Sequence, residues 1–412
     1  MLRGGCFLIC PKPLFVYGEQ GLLSFGVWRV GSPPFFSNLW KSTEKPTSGH
    51  FSVKYKKLLK NPMPLFPLYE QQEQAYCSQF ANIEQAAATQ DKVLMGAPGT
   101  VIEHKRGGAI YYARQYMGPE GKKQEESLGG PQGDPEVDSR VEEVRQRIDL
   151  SKDLISRIRD LGKLGFQLAD NKTYATVGVL YNYGLFEAGA VLVGSHAYAV
   201  ILNSLGIKAV SYETEDIDIA RRHQLALVNL PEGGLLAMLK ETGINFVPVP
   251  AMKRGEASTS FTEAGKSRFH VDLLVPSHDD SFPTVPVAEL NAHATGLPYL
   301  AYLLGRSQAG TLVSRHGAVP VRVPDAARFA IHKLLVSRLR TNTLVKSQKD
   351  VRQASVLLAM LGEHRTGDIE DACAELPRSA RALVRRTLPE VEALMRDAHE
   401  AALEELATSL SG

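Results

Sequence analysis

Two periods run through this chain. Across residues 135–169 apolar side chains return at Val141, Val144, Ile148, Leu154, Ile155 and Ile158 with charges between them, which predicts a long amphipathic helix. The stretch from Met63, MPLFPLYEQQEQAYCSQFANIEQAAATQ, ends in strong helix formers and predicts another. From Pro324 three helical segments follow, DAARFAIHKLLVSRLR, KSQKDVRQASVLLAMLGEH and AELPRSARALVRRTLPEVEALMRDAHEAALEEL, with short polar breaks that suit antiparallel helices. Pro324-Asp325 opens the first, with Phe329, Leu335, Val336 and Leu339 as its expected buried stripe.

Elsewhere the period is two. Ile110, Tyr111, Tyr112 and Tyr116 suit strands and Gly118 to Gly121 a turn, so this region predicts a β-hairpin. Residues 190–193 form an apolar run of the buried-strand kind, Gly194-Ser195 a tight turn, and residues 196–205 a helix apolar nearly all round, ended by Gly206. Glu215-Asp216-Ile217-Asp218-Ile219 alternates, and so does Phe269 to Val275. Between them PEGGLLAMLKETG predicts a helix, and INFVPVPAMKRGEASTSFTEAGKSRFHVDLLV a strand pair joined by a polar loop.

The first 62 residues follow neither period. Pro11, Pro13 and the Gly-Glu-Gln-Gly stretch interrupt the apolar pieces well short of the ~20 residues a membrane span needs, and no signal-peptide pattern is present. This segment is expected to be a disordered or non-native leader with no part in the fold.

Composition narrows the classes. The 44% hydrophobic and 22% charged residues are ordinary for a globular protein. A net charge of +2 gives no overall field for nucleic acid or membrane, so any such partner must meet a local patch. One candidate is the hairpin, where Lys105, Arg106, Arg114, Lys122 and Lys123 interleave with tyrosines. Glu103, Glu120, Glu125 and Glu126 lie in the same stretch and favour ordinary solvated surface. Cys6, Cys10, Cys77 and Cys373 form neither a disulfide framework nor a metal-binding spacing, which fits a reducing cytoplasm.

The candidate chemistry is acidic. On a strand, residues two apart share a face, so Asp216 and Asp218 point together while Ile217 and Ile219 enter the core. Adjacent carboxylates repel unless a cation lies between them, and a divalent metal is the simplest cation. Gly194 and Ser195, at a helix start, offer close backbone approach, a hydroxyl and free amides to a phosphate. Asp272, 54 residues after Asp218, is an acid in an otherwise apolar strand, and would complete a carboxylate cluster for Mg²⁺. A phosphate cradle beside such a cluster is the equipment of phosphoryl or nucleotidyl transfer. Arg254, Lys253, Lys266 and Arg268 flank the third acid, and Lys333, Lys346 and Lys349 lie in the helical part, all within possible reach of phosphates or simply solvated. His196 next to Ser195 is no hydrolase pair, because adjacent residues rarely present hydroxyl to imidazole and the Gly-x-Ser-x-Gly elbow is absent.

Gly194-Ser195, Asp216-Ile217-Asp218 and Asp272, in this order, resemble the DNA polymerase β-type nucleotidyltransferase superfamily. GSHAYAVILNSLG, TEDIDIA, RFAIHKLLVSRLR and KSQKDVRQA are similar to a bacterial family of largely uncharacterised proteins of that fold. The segment between Ser195 and Asp216 is longer than in compact members, through an enlarged loop, KAVSYETE. The resemblance implies an α+β protein with a mixed-sheet nucleotidyltransferase fold, an N-terminal helix and hairpin region and a C-terminal helical domain. The expected boundaries are 1–62 leader, 63–175 helix and hairpin region, 176–323 nucleotidyltransferase domain and 324–412 helical domain. It implies NMP transfer from an NTP to a hydroxyl of a protein, RNA end or small molecule. Gly194 and Ser195 would hold the triphosphate, and Asp216, Asp218 and Asp272 would serve as metal ligands, with Asp272 also acting as base. The competing reading is a catalytically weak protein of this fold that binds nucleic acid or regulates.

A chain beginning at Met63 is expected to unfold in one cooperative transition at the melting temperature of the full chain. Loss of that transition would show that the leader belongs to the fold.

Overall fold

Alternating apolar residues build a sheet whose ends carry the polar positions of the same strands. The computed structural model describes residues 68–411 apart from 213, 229, 252–254, 266, 279–280 and 341–343. The expected leader, and Lys253, Arg254 and Lys266, therefore lie outside the described residues.

The chain enters through β1 (Tyr69–Gln71) and α1 (Gln74–Ala88). The expected hairpin is a three-stranded antiparallel sheet, β2 (Thr100–Arg106), β3 (Ala109–Met117) and β4 (Lys123–Gly129). The extra strand arises because Gly107 and Gly108 both adopt positive φ, 58° and 82°, and close a two-residue turn. Its basic residues divide between the faces. Arg106 and Lys123 share a face with Tyr111, whereas Arg114 is buried on the other, donating to the Met95 carbonyl and lying 3.9 Å from the Tyr116 ring centroid. The long helix α2 (Pro135–Lys163) covers that inner face with Val137, Val141, Val144 and Ile148. Asp134 caps it by accepting from the Glu136 amide, and Pro135 occupies its first position.

Next come α3 (Asn171–Asn182), β5 (Val191–Val193), α4 (Gly194–Ser204), β6 (Ile207–Ala209) and β7 (Asp216–Ala220). The expected boundary at 175/176 falls inside α3. Helix α5 (Gly234–Lys240) precedes β8 (Phe246–Pro248), β9 (Ser260–Glu263) and β10 (His270–Pro276), so the expected strand pair is three strands. Then follow β11 (Thr284–Val287), β12 (Ala292–Leu297), the short helix α6 (Leu300–Leu303) and the hairpin β13 (Ser307–Ser314) to β14 (Gly317–Pro324). The central sheet has the order β11-β12-β10-β7-β5, with β9 pairing the first half of β10 and β8 pairing β9. It is mixed: β7, β10 and β12 run parallel, while β5, β9 and β11 are antiparallel to their neighbours.

The C-terminal part is helical throughout: α7 (Ala326–Leu339), α8 (Leu344–His364), α9 (Asp368–Ala374), α10 (Arg378–Arg385), α11 (Leu388–Met395) and α12 (Glu400–Ser411). Asp325 caps α7 as expected. The last expected segment splits at Pro377 and Pro389, where proline removes an amide donor and starts a new helix, and again between Met395 and Glu400, where Asp397 has φ +68°. Phe329 and Leu335 of α7 are buried as expected and Val336 and Leu339 are only half-buried, while Ala330, Ile331 and Leu334 are buried too, because α7 is sandwiched rather than laid on a surface. One continuous apolar core joins the sheet to α7 and α8, so the helices and the strand ends share a common frame. Among the described residues no helix is long and apolar enough to cross a membrane.

Two histidines are buried, His196 on α4 and His332 on α7. His332 on α7 is buried beside Lys333 and Asp350; burial, helped by the Lys333 charge, pushes its pKa down from 6.5 to about 3. The imidazole therefore stays neutral in the folded chain while the unfolded chain takes up a proton below about 6.5. Stability should be intact above that pH and fall steadily as pH drops from about 6.5 toward 3. Replacing His332 with Gln should flatten this part of a melting-temperature profile between pH 6.5 and 4, and an unchanged slope would contradict the neutral buried state.

Candidate active site

The site begins where β5 ends. Val193 pairs with Asp218 on the neighbouring strand, and the next residue, Gly194, has φ +70°, in the left-handed region. A Cβ at Gly194 would overlap the Asp218 carboxylate, so both backbone and space demand glycine. The expected Gly-Ser turn is thus the first turn of α4 itself. Its N-cap, Val193, provides no side-chain acceptor, leaving the first amides of the helix available to an anion. Ser195 Oγ accepts from Lys349 Nζ of α8 at 2.9 Å, and the same ammonium lies 5.1 Å from the Tyr212 ring centroid. Burial, with Lys333 nearby, lowers the Lys349 pKa.

The acids come from adjacent parallel strands in register. Asp216 lies opposite His270 and Asp218 opposite Asp272, while Ile217, Ile219, Val271 and Leu273 face the core. The expected pairing of Asp216 with Asp218 on one face, and the placing of Asp272 beside them, are both present. Ser260 of β9 donates its hydroxyl to Asp272 Oδ1. His270 bridges two of the acids, with Nδ1 3.3 Å from Asp216 Oδ1 and Nε2 3.3 Å from Asp272 Oδ2, while Nδ1 also contacts the Arg268 carbonyl at 2.8 Å. The Asp272 hydrogen bond raises the imidazole pKa to about 9, against the opposing effect of burial. Burial first, and then the Asp272 and Asp216 charges, push the Asp218 carboxyl up to about 6, with Lys333 opposing.

This arrangement carries more negative charge than its single imidazolium offsets. Among the described residues no three His, Cys, Asp or Glu side chains close on a common point as a preformed metal cage. Mg²⁺ rarely uses one: it takes one or two carboxylates, keeps waters and completes its shell with substrate phosphates. An all-oxygen donor set with unrelieved repulsion at Asp218 fits that ion. A cleft of about 980 Å³ opens over the acids, and Arg268, Lys346 and Lys349 line it with Asp216, His270 and Asp272.

A nucleotidyltransferase family model matches residues 171–377, half of the chain and every residue of this site. The chain belongs to that nucleotidyltransferase family. No curated protein matches it. Family membership makes the protein an enzyme that transfers nucleotidyl groups, rather than a protein that only binds.

Within the nucleotidyltransferase the basic residues have separate duties. Lys333 is buried and donates to Asp350 Oδ1 at 2.8 Å, with Arg340 on the other oxygen at 2.7 Å, so it is tied to α8 and acts on Asp218 only through its charge. Lys346 and Lys349, one helical turn apart, both reach the cleft. His270 and Ser260 are the functional residues that sequence reasoning missed. His270 had a signal, standing two residues before Asp272 on the same strand face; Ser260 had none, because its strand read as loop.

Gly194→Ala should cost about 1–2 kcal/mol for the backbone alone and about 1–3 kcal/mol more for overlap with Asp218. Adding Asp218→Ala should recover the steric part and leave the backbone part. Chemical denaturation of the two single variants and the double variant measures the coupling, and additive effects would place Gly194 and Asp218 out of contact.

Proposed function

We propose that this nucleotidyltransferase uses Mg²⁺ to move a nucleoside monophosphate from an NTP to a hydroxyl acceptor, in the manner of the DNA polymerase β-type superfamily. What supports this most is the β7–β10 register, which sets Asp218 beside Asp272 and next to the Gly194 backbone. The acceptor oxygen bonds to the α-phosphorus, the bond to the β-phosphate oxygen breaks, and pyrophosphate leaves.

Asp216, Asp218 and Asp272 would hold the Mg²⁺, which supplies charge neutralisation at the phosphates and acidifies the acceptor hydroxyl. The α4 amides, Gly194 and Ser195 bind the phosphate chain. Because Lys349 donates into Ser195 Oγ, the serine's own O–H is free to donate to a phosphate oxygen. Lys346, Lys349 and Arg268 offset charge on the departing pyrophosphate. Asp272 receives the acceptor's proton, with Ser260 fixing the orientation of its carboxylate. His270 is already protonated when paired with Asp272, so it neutralises the acids and is not the base.

Asp218→Asn should leave the metal-free protein as stable as wild type or slightly more so, since it removes a repelling buried charge, and Asp216→Asn, which also gives up its contact with His270, should stay close to wild type. Both should abolish the Mg²⁺-dependent rise in melting temperature with NTP. Asp272→Asn should retain more NTP binding while losing about 100-fold or more in kcat. Destabilisation of the metal-free Asp218→Asn protein by several kcal/mol would instead make the acids structural ion-pair partners.

A further inference from the structure

Among the described residues that line the carboxylate cleft, three carry hydroxyls: Thr214, Ser260 and Thr262. They are not equivalent. Thr214 Oγ1 accepts from the Asp216 amide at 3.4 Å, which occupies one of its lone pairs. Thr262 Oγ1 gives its proton to the Phe269 carbonyl at 3.1 Å. Ser260 alone of the three donates to an acid, Asp272 Oδ1, and among the described residues its oxygen accepts from no donor.

Strand register fixes this arrangement. Asp272 on β10 has Asp218 as its partner on one side and Ser260 of β9 on the other, so the three side chains stand in one row across the sheet. Ser258 pins the serine's backbone, donating its hydroxyl to the Ser260 carbonyl at 2.6 Å and accepting from the Ser260 amide at 3.4 Å. On its other oxygen Asp272 meets His270 Nε2 at 3.3 Å. A hydroxyl whose proton rests on a carboxylate, beside a third group that holds that carboxylate, is arranged as a nucleophile next to its base. A serine that only oriented Asp272 could do so from within the core. Ser260 is instead half-exposed, and its open lone pairs share the cleft with Arg268, Lys346 and Lys349.

We infer that Ser260 is a self-nucleotidylylation site: when a nucleoside triphosphate occupies the cleft and no outside acceptor does, the chain's own serine takes the nucleotidyl group. Ser260 Oγ bonds to the α-phosphorus, the bond from that phosphorus to the oxygen bridging to the β-phosphate breaks, and pyrophosphate leaves with the electron pair. The serine proton passes to Asp272 Oδ1, to which it is already hydrogen-bonded. The product is a phosphodiester on Ser260. It stands beside Asp272 and deprives that carboxylate of its donor, so a chain marked in this way no longer serves an outside hydroxyl. The mark is self-limiting and regulates the site that carries it.

This inference rests on the nucleotidyl-transfer reading, and one set of incubations separates the two. The full chain is incubated with Mg²⁺ and each common NTP, labelled at the α-phosphate, with no acceptor added. Label is counted after denaturation and mapped by peptide mass spectrometry, while binding is read in parallel as the Mg²⁺-dependent rise in melting temperature with NTP. With at least one NTP, wild type should gain a single nucleotidyl group per chain, on Ser260, at a rate independent of protein concentration, because nucleophile and base belong to one cleft. Ser260→Ala should lose that label, and Ser260→Thr, which keeps a hydroxyl, should retain it. An α,β-methylene NTP, whose carbon bridge does not break, should raise the melting temperature and leave no mark. If the melting temperature rises but Ser260 stays unlabelled, if the label maps to another residue, or if labelling accelerates with protein concentration, self-modification is overturned while the transfer reading stands. If there is neither a rise nor a label, both readings fail together.

Discussion

Everything in this active site depends on holding three carboxylates, Asp216, Asp218 and Asp272, on one face of two adjacent parallel strands. Two of them, Asp218 and Asp272, are set side by side by a single parallel strand pairing, and Asp216 follows on the same face. Such an arrangement is electrostatically costly: burial first, and then the Asp272 and Asp216 charges, hold the Asp218 carboxyl above its ordinary value. The fold tolerates it because the opposite faces of β7 and β10 are committed to the apolar core through Ile217, Ile219, Val271 and Leu273. A one-residue slip would bury the acids and expose those four, so burial on one face enforces repulsion on the other.

The surroundings moderate that repulsion without removing it. His270 lies between Asp216 and Asp272 as an imidazolium, Ser260 donates to Asp272, and Lys333 acts from α7 while paired to Asp350. These groups keep the acids in place and leave them short of positive charge. Beside the acids lie a helix start without a side-chain cap, a hydroxyl that accepts from Lys349, and two further cations on the cleft wall. The helical C-terminal part is thus a component of the site. Its α8 provides Lys346, Lys349 and the Asp350 that fixes Lys333, and its core is continuous with that of the sheet.

Gly194 shows how narrow the tolerance is. Its left-handed backbone and its contact with the Asp218 carboxylate leave no room for a side chain, so the strand-to-helix junction and the acid are one structural unit. The loop before β7 is tied to the same unit, because Thr214 Oγ1 accepts from the Asp216 amide and the Glu215 carbonyl accepts from the His270 amide.

The linear sequence by itself determined the α+β class, the long helix from Pro135, the buried strand before Gly194 and the shared face of Asp216 and Asp218. Each depends on periodicity or on a residue with one strong local preference. It was enough to choose Asp272 as well, because an isolated acid in an apolar strand needs a reason to be there. The third strand of the N-terminal sheet, the strand carrying Ser260 and the division of the last helical segment were not legible, since two-glycine turns, three- or four-residue strands and proline breaks give little periodic signal. Only tertiary structure decided that His270 would bridge the acids, and that Lys349 would hold Ser195 while Lys333 turned to Asp350. Those outcomes depend on which strands become neighbours and which helix packs over them, and contacts between residues as far apart as Ser195 and Lys349 leave no mark on the local pattern of either segment.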